Sequence, residues 1–293
     1  MANVYQKYYV PHHSSWPIVG AISLFLMGYG AALWVNAMAK DQHGFGWILL
    51  VIGVALLFYM LFGWFGNVID ESMDGLYSQQ MDRSFRQGMS WFIFSEIMFF
   101  MAFFGALFYA RMIAVPWLDG ASNNAMTAEV LWPNFEAVWP LTTTPGGTET
   151  NAMPWEGIPL YNTIILLVSS ITLQFAHIGI EQRKYTQLGF FLLLTIILGV
   201  CFLFLQGHEY VHSYQELGLR LDSGVYGNTF FLLTGFHGLH VTLGAIFLTV
   251  IFLRIIIKGH FTPERHFGFQ AAAWYWHFVD VVWLNLFVFV YVL

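Results

Sequence analysis

Hydrophobic residues fall into seven long runs, near residues 17–39, 45–66, 90–113, 159–180, 188–211, 228–257 and 270–292, with polar or Pro- and Gly-rich stretches between them. About 20 apolar residues cross a hydrocarbon core at 1.5 Å per residue. The pattern therefore predicts seven membrane-spanning helices and an all-α, polytopic fold. Ser14, Ser15 and Pro17 suit a helix start at the first run, and Pro154 and Pro159 precede the fourth. The aromatic, polar N-terminus shows no convincing small-residue cleavage site, so the first span is expected to be retained.

Composition strengthens this picture. Only 10% of residues are charged and 58% are hydrophobic, against about 25% charged in soluble domains. The net charge of −6 comes without a basic block, which argues against nucleic acid as a partner. Cys201 is the single cysteine, so this chain alone builds no disulfide framework, tetrathiolate zinc site or iron–sulfur cluster.

Lys and Arg are enriched on the cytoplasmic or matrix side of membrane proteins. With the N-terminus inside, that side carries Lys7, Arg83, Arg86, Arg183, Lys184, Arg254, Lys258 and Arg265; the other carries Lys40, Arg111 and Arg220. The distribution predicts an inner N-terminus and an outer C-terminus. The 114–158 connection holds no Lys or Arg and is interrupted by Pro and Gly, so it is expected to form an irregular outer cap. Within one membrane domain, 1–293, the charged connection 67–89 divides a two-helix unit, 1–66, from a five-helix unit, 90–293, that includes the outer loop.

Ionisable residues inside a membrane are functional candidates by default. Glu96, in WFIFSEIMFFMAFF, sits about 9 Å from the inner end of its span. It is expected either to make a structural hydrogen bond to a neighbouring helix or to serve a lipid or proton route. His277 and Asp280 lie three residues apart on one helix face, and a mutually satisfied pair is expected. Gly235, Gly238, Thr242 and Ala245 form a stripe suited to close helix contact. His237 and His240 lie on another face and are read as structural hydrogen-bonding groups.

The segment His208-Glu209-Tyr210-Val211-His212 matches the zinc-protease pattern H-E-x-x-H. A hydrolase would need a third ligand and a wet site, and nothing in the sequence identifies either. No nucleophile elbow or phosphate-binding glycine loop occurs, and no clear internal repeat supports a transporter. Catalytic, cofactor and metal residues are therefore expected to be absent from this chain.

The runs YGNTFFLLTGFHGLHV (226–241) and HFGFQAAAWYWHFVDVVWL (266–284) resemble the strongest signatures of subunit III of the cytochrome c oxidase, or haem-copper oxidase, family. SSWPIVGAISLFLMGYG, FSEIMFF, PLYNTIILLVSS and LQGHEYVH extend the similarity over nearly the whole chain. The outer loop is longer here than in mitochondrial members, which leans towards a bacterial inner membrane.

The resemblance implies a seven-helix fold of two plus five helices, with a V-shaped cleft that holds phospholipids. It implies a non-redox subunit of a proton-pumping complex that reduces oxygen with electrons from cytochrome c. Haem and copper would lie in subunits I and II, with subunit I the main contact. This chain would stabilise the core, support proton uptake and line a lipid-filled route for oxygen. A quinol oxidase subunit III is the alternative within the family, but its relatives lack the first two helices. By resemblance Glu96 matches the family's intramembrane glutamate, Phe92 and Trp64 match aromatic positions by the cleft, Arg254 suits a lipid phosphate and Glu71 ends span 2. Asp70 and Phe65 depart from the arginine and second tryptophan of mitochondrial members, which changes the lipid contact expected near span 2. In the HEYVH segment the relatives keep the glutamate but not both imidazoles.

Overall fold

A computed structural model describes residues 8–10 and 13–293, apart from the Lys258 side chain. Lys7 and the start of the N-terminal segment lie outside the described residues. The helices are α1 (Trp16–Met38), α2 (Gly46–Met73), α3 (Gln79–Tyr109), α4 (Val115–Leu118), α5 (Ala125–Leu131), α6 (Ile158–Glu181), α7 (Tyr185–Gln215), α8 (Val225–Leu253) and α9 (Phe267–Leu286). π-helical turns extend α3, α8 and α9 at Ala110–Ala114, Arg254–Lys258 and Phe287–Val292. Among the described residues, seven helices are long and apolar enough to cross a membrane. No strand forms among the described residues; two isolated bridges pair Thr143 with Glu149 and Thr262 with Arg265.

The helices outrun the hydrophobic runs. Residues 67–89 are not a loop: α2 continues to Met73 and α3 begins at Gln79, leaving only Asp74–Ser78 between them. Hydropathy marks the part of a helix that suits hydrocarbon, whereas backbone hydrogen bonding continues into the charged ends. Asp82 in the first turn of α3 also complements the helix dipole. The outer connection is likewise less irregular than expected, because helix continues to Leu118 and α5 forms a separate two-turn segment. Pro116 has no N–H and its ring crowds the carbonyl four residues back. The wide π turn directly before α4 accommodates that proline within a continuing helix. At the start of α1, Ser15 occupies the cap position without a side-chain bond, and Ser14 Oγ accepts the Trp16 N–H at 3.4 Å.

Two compact units divide the chain between Phe85 and Arg86. In the first, α1 and α2 touch through small residues. A Cβ on Gly30 would stand 2.5 Å from Leu50 N, and one on Gly46 2.4 Å from Trp34 N. Ser23 Oγ donates to the Gly53 carbonyl at 2.8 Å. Helices in lipid gain association from such backbone contact rather than from burying apolar surface.

In the second unit, α9 is the most buried of the membrane-crossing helices. Trp276 packs where a Cβ on Gly199 or Gly244 would lie 2.5 or 2.9 Å from its ring, and its Nε1 donates to Ser169 Oγ at 2.9 Å. Trp283 Nε1 donates to Thr163 Oγ1 at 2.9 Å. α6 and α7 join through the Thr172 and Thr195 hydroxyls at 2.8 Å. The expected small-residue stripe on α8 divides: Gly235 and Gly238 admit the Tyr210 and Gln206 side chains of α7, and Thr242 is exposed. Polar side chains, rather than helix backbone, fill the space those glycines leave.

The 114–158 connection folds back on its own unit. Asn151 N–H donates to the Leu217 carbonyl at 3.0 Å and Met153 N–H to Tyr226 OH at 3.2 Å, and Trp139 meets the Tyr226 ring edge-on.

Candidate functional site

Glu96 on α3 reaches α8, where its Oε2 lies 2.9 Å from His240 Nε2. The other imidazole nitrogen, Nδ1, is 2.6 Å from the Phe236 carbonyl. A carbonyl only accepts, so Nδ1 carries a proton. One further proton is then shared between Nε2 and the carboxyl group, giving either a neutral acid–imidazole pair or an ion pair of zero net charge. Phe99, Phe100 and Tyr275 surround the imidazole, and Phe92 stacks on Tyr275 at 6.1 Å. The Glu96 side chain retains 22% exposure against 9% for His240, so the carboxyl side of the pair is the accessible one.

His237, one turn away, is fully buried and lies 3.2 Å from the Val279 carbonyl through Nε2, between the Phe202 and Trp283 rings. His277 and Asp280 do not satisfy each other directly; both converge on Ser170 of α6. The Ser170 hydroxyl donates to Asp280 Oδ2 and lies 2.9 Å from His277 Nδ1, which therefore donates to it. Their spacing places them on a common face of α9, but a second helix, α6, supplies the partner.

The H-E-x-x-H residues separate. Glu209 is buried and accepts the Tyr291 hydroxyl at 2.6 Å, His208 is exposed, and His212 lies 3.1 Å from Glu216. Among the described residues no three His, Cys, Asp or Glu side chains converge on a metal position.

The remaining candidates are distributed. Arg254 is half-buried over the Phe261 ring at 4.6 Å, with Nε buried and without a hydrogen-bond partner. Trp64 stacks on Phe65 on an exposed face of α2. Glu71 accepts from Tyr77 OH at 2.7 Å and Tyr9 OH at 3.3 Å. Burial and this bond to Glu71 hold the Tyr77 hydroxyl well above the usual phenol range. An apolar groove of about 1110 Å³ runs between α3 and α9, with Arg111 and Asn285 among its few polar residues.

Sequence reasoning missed Ser170, Tyr291 and a chain of side chains at the end of the bundle opposite the 114–158 connection. There Arg86 Nη1 donates to Gln270 Oε1 at 2.6 Å, Gln270 Nε2 is 2.9 Å from His266 Nε2, and His266 faces His177 at 3.4 Å. The polarity of Ser170 within an apolar run was a visible signal; the His177–His266 encounter, across 89 residues, had none.

These features define a multi-pass helical membrane protein in which several buried polar side chains bond from one helix to another. Residues 6–293 match the family described as cytochrome c oxidase subunit III. The cytochrome c oxidase subunit 3 of Oncorhynchus mykiss is 40% identical over 292 residues, covering 99% of this chain and 98% of the relative. Those of Gadus morhua and Scyliorhinus canicula are each 39% identical with the same coverage. The chain belongs to the cytochrome c oxidase subunit III family, a non-catalytic subunit of the oxidase complex.

Proposed function

We propose that this chain supports the oxidase by holding phospholipid and assisting proton delivery on its Lys- and Arg-rich side, in a bacterial inner membrane with the N-terminus inside. Its partners are subunit I, as the main contact, and subunit II; these hold the haem and copper and receive electrons from cytochrome c. The single-proton unit of Glu96 and His240, accessible at the carboxyl, is the observation that carries this reading. Arg254 supports it, because its buried Nε has no partner and suits a lipid phosphate. Phe92 and Trp64 offer aromatic faces to acyl chains, and Glu71 anchors the end of α2 through two tyrosines. His237, His277 and Asp280 hold helices together.

Glu96→Gln in the assembled complex is the test. Assembly should be retained, with less bound phospholipid and a shorter lifetime in continuous turnover. Unchanged lipid phosphorus and unchanged lifetime would reduce Glu96 to a replaceable structural bond.

A further inference from the structure

Two imidazoles meet nitrogen to nitrogen at the end of the bundle away from the 114–158 connection. His177, in the last turns of α6, and His266, the residue before α9, bring their Nε2 atoms to 3.4 Å. The ring centroids are 5.5 Å apart and the planes are inclined at 61°, so the nitrogens point towards one another instead of the rings stacking. Two imidazoles bound tetrahedrally to one zinc ion at 2.0–2.1 Å would hold their nitrogens about 3.3 Å apart.

The surrounding bonds set the His266 tautomer. Arg86 only donates, so its 2.6 Å contact fixes Gln270 Oε1 towards the guanidinium and the amide N–H towards His266 Nε2. The Thr262 carbonyl, 3.1 Å away, takes the proton on Nδ1. Both contacts leave a lone pair on Nε2, and an Nδ1–H held by a backbone carbonyl is what commonly orients a metal-binding imidazole. A metal ion would displace the Gln270 amide from that lone pair. Glu181 lies one turn beyond His177, with Oε1 3.8 Å from His177 Nε2 and a side chain 60% exposed. Three ligands do not converge among the described residues; the exposed Glu181 side chain would have to rotate to complete the set.

We propose that His177, His266 and Glu181 bind one divalent transition-metal ion of the zinc class, with water completing its coordination. Such an ion would tie α6 to the connection before α9. That connection is already drawn to the same end of the bundle by Arg183 and Glu264, 2.7 Å apart. Two imidazoles and a carboxylate select zinc, cobalt or copper over magnesium, which prefers oxygen ligands and octahedral geometry. This site is independent of the role proposed for Glu96 and Arg254.

The test is titration of the full chain in mild detergent with Zn²⁺ against a chromophoric chelator, alongside thermal unfolding with and without the ion. The wild type should bind one equivalent that His177→Gln and His266→Gln each lose, and Zn²⁺ but not Mg²⁺ should raise its unfolding midpoint. Glu181→Gln, at an exposed position that folding tolerates, should weaken the same equivalent by about tenfold or more, within the range seen when metal-site support is removed. Absence of a chelator-competitive equivalent in the wild type would overturn the proposal. So would unchanged stoichiometry and affinity in all three variants.

Discussion

The Tyr291 hydroxyl donates to Glu209 Oε1 at 2.6 Å, fastening the last turn of the chain to the far end of α7. The Tyr291 ring also lies 5.6 Å from Phe230 and 5.9 Å from Trp283, so one side chain links three helices. Glu209 is buried, and its second carboxyl oxygen has no hydrogen-bond partner. Tyr291→Phe keeps the ring contacts but removes the only donor to this group among the described residues. The expected loss is about 1–3 kcal/mol, the usual effect of stranding a buried acceptor. Glu209→Gln retains an accepting oxygen and should lose less. Unfolding midpoints of the detergent-solubilised chain compare the two; an equal loss in both would show that the bond itself contributes little.

The helices were legible in the sequence because side-chain transfer into hydrocarbon is a local property summed over about 20 residues. Their ends were not, since Asp70, Glu71 and Asp82 stop a hydrophobic run without stopping backbone hydrogen bonding. The polar site was half legible for a similar reason. Spacing showed that His277 and Asp280 share a face and that Glu96 needs a partner in an apolar span. The partners themselves, Ser170 and His240, stand 107 and 144 residues away from His277 and Glu96. Only the packing of α6 against α9, and of α3 against α8, supplies them.

Trp276 depends on two glycines. A methyl group added at Gly199 or Gly244 would fall within 2.9 Å of its ring, and the ring is wholly buried. Gly199→Ala and Gly244→Ala should therefore displace the indole and lengthen its bond to Ser169, destabilising by about 1–3 kcal/mol as overpacked cores do. Gly207→Ala is the control, since nothing lies within 4 Å of the added methyl; it should be neutral or stabilising by up to about 1 kcal/mol through helix propensity. Indole fluorescence and thermal unfolding distinguish these outcomes, and equal behaviour of all three variants would remove the packing argument.

Ser170 is the shared partner of two groups, so its loss should not act additively with theirs. Ser170→Ala leaves His277 Nδ1 without its acceptor and Asp280 Oδ2 without its donor. In a double-mutant cycle with Asp280→Asn the expected coupling is about 0.5–3 kcal/mol, the range for residues in one hydrogen-bond network. Additive effects would mean that Asp280 is held by something other than Ser170.

Acid should loosen the connection before α9 through Glu264. Its own backbone N–H, and then Arg183 Nη2 at 2.7 Å, hold its carboxyl below the usual range despite an opposing desolvation effect. A folded-state value below the unfolded one means that the contribution is fully present above the ordinary carboxylate range and disappears as pH falls through the lowered value. Both side chains are more than 60% exposed, so the pair is screened and its effect should shrink at high salt. Hydrogen exchange of the Thr262, Glu264 and Arg265 amides should accelerate below the ordinary carboxylate range in the wild type, after correction for intrinsic rates. In Glu264→Gln the same amides should exchange faster at neutral pH and show no such step. An acid step that persists unchanged in Glu264→Gln would assign the opening to another group and leave the Arg183 contact without a role in holding this connection.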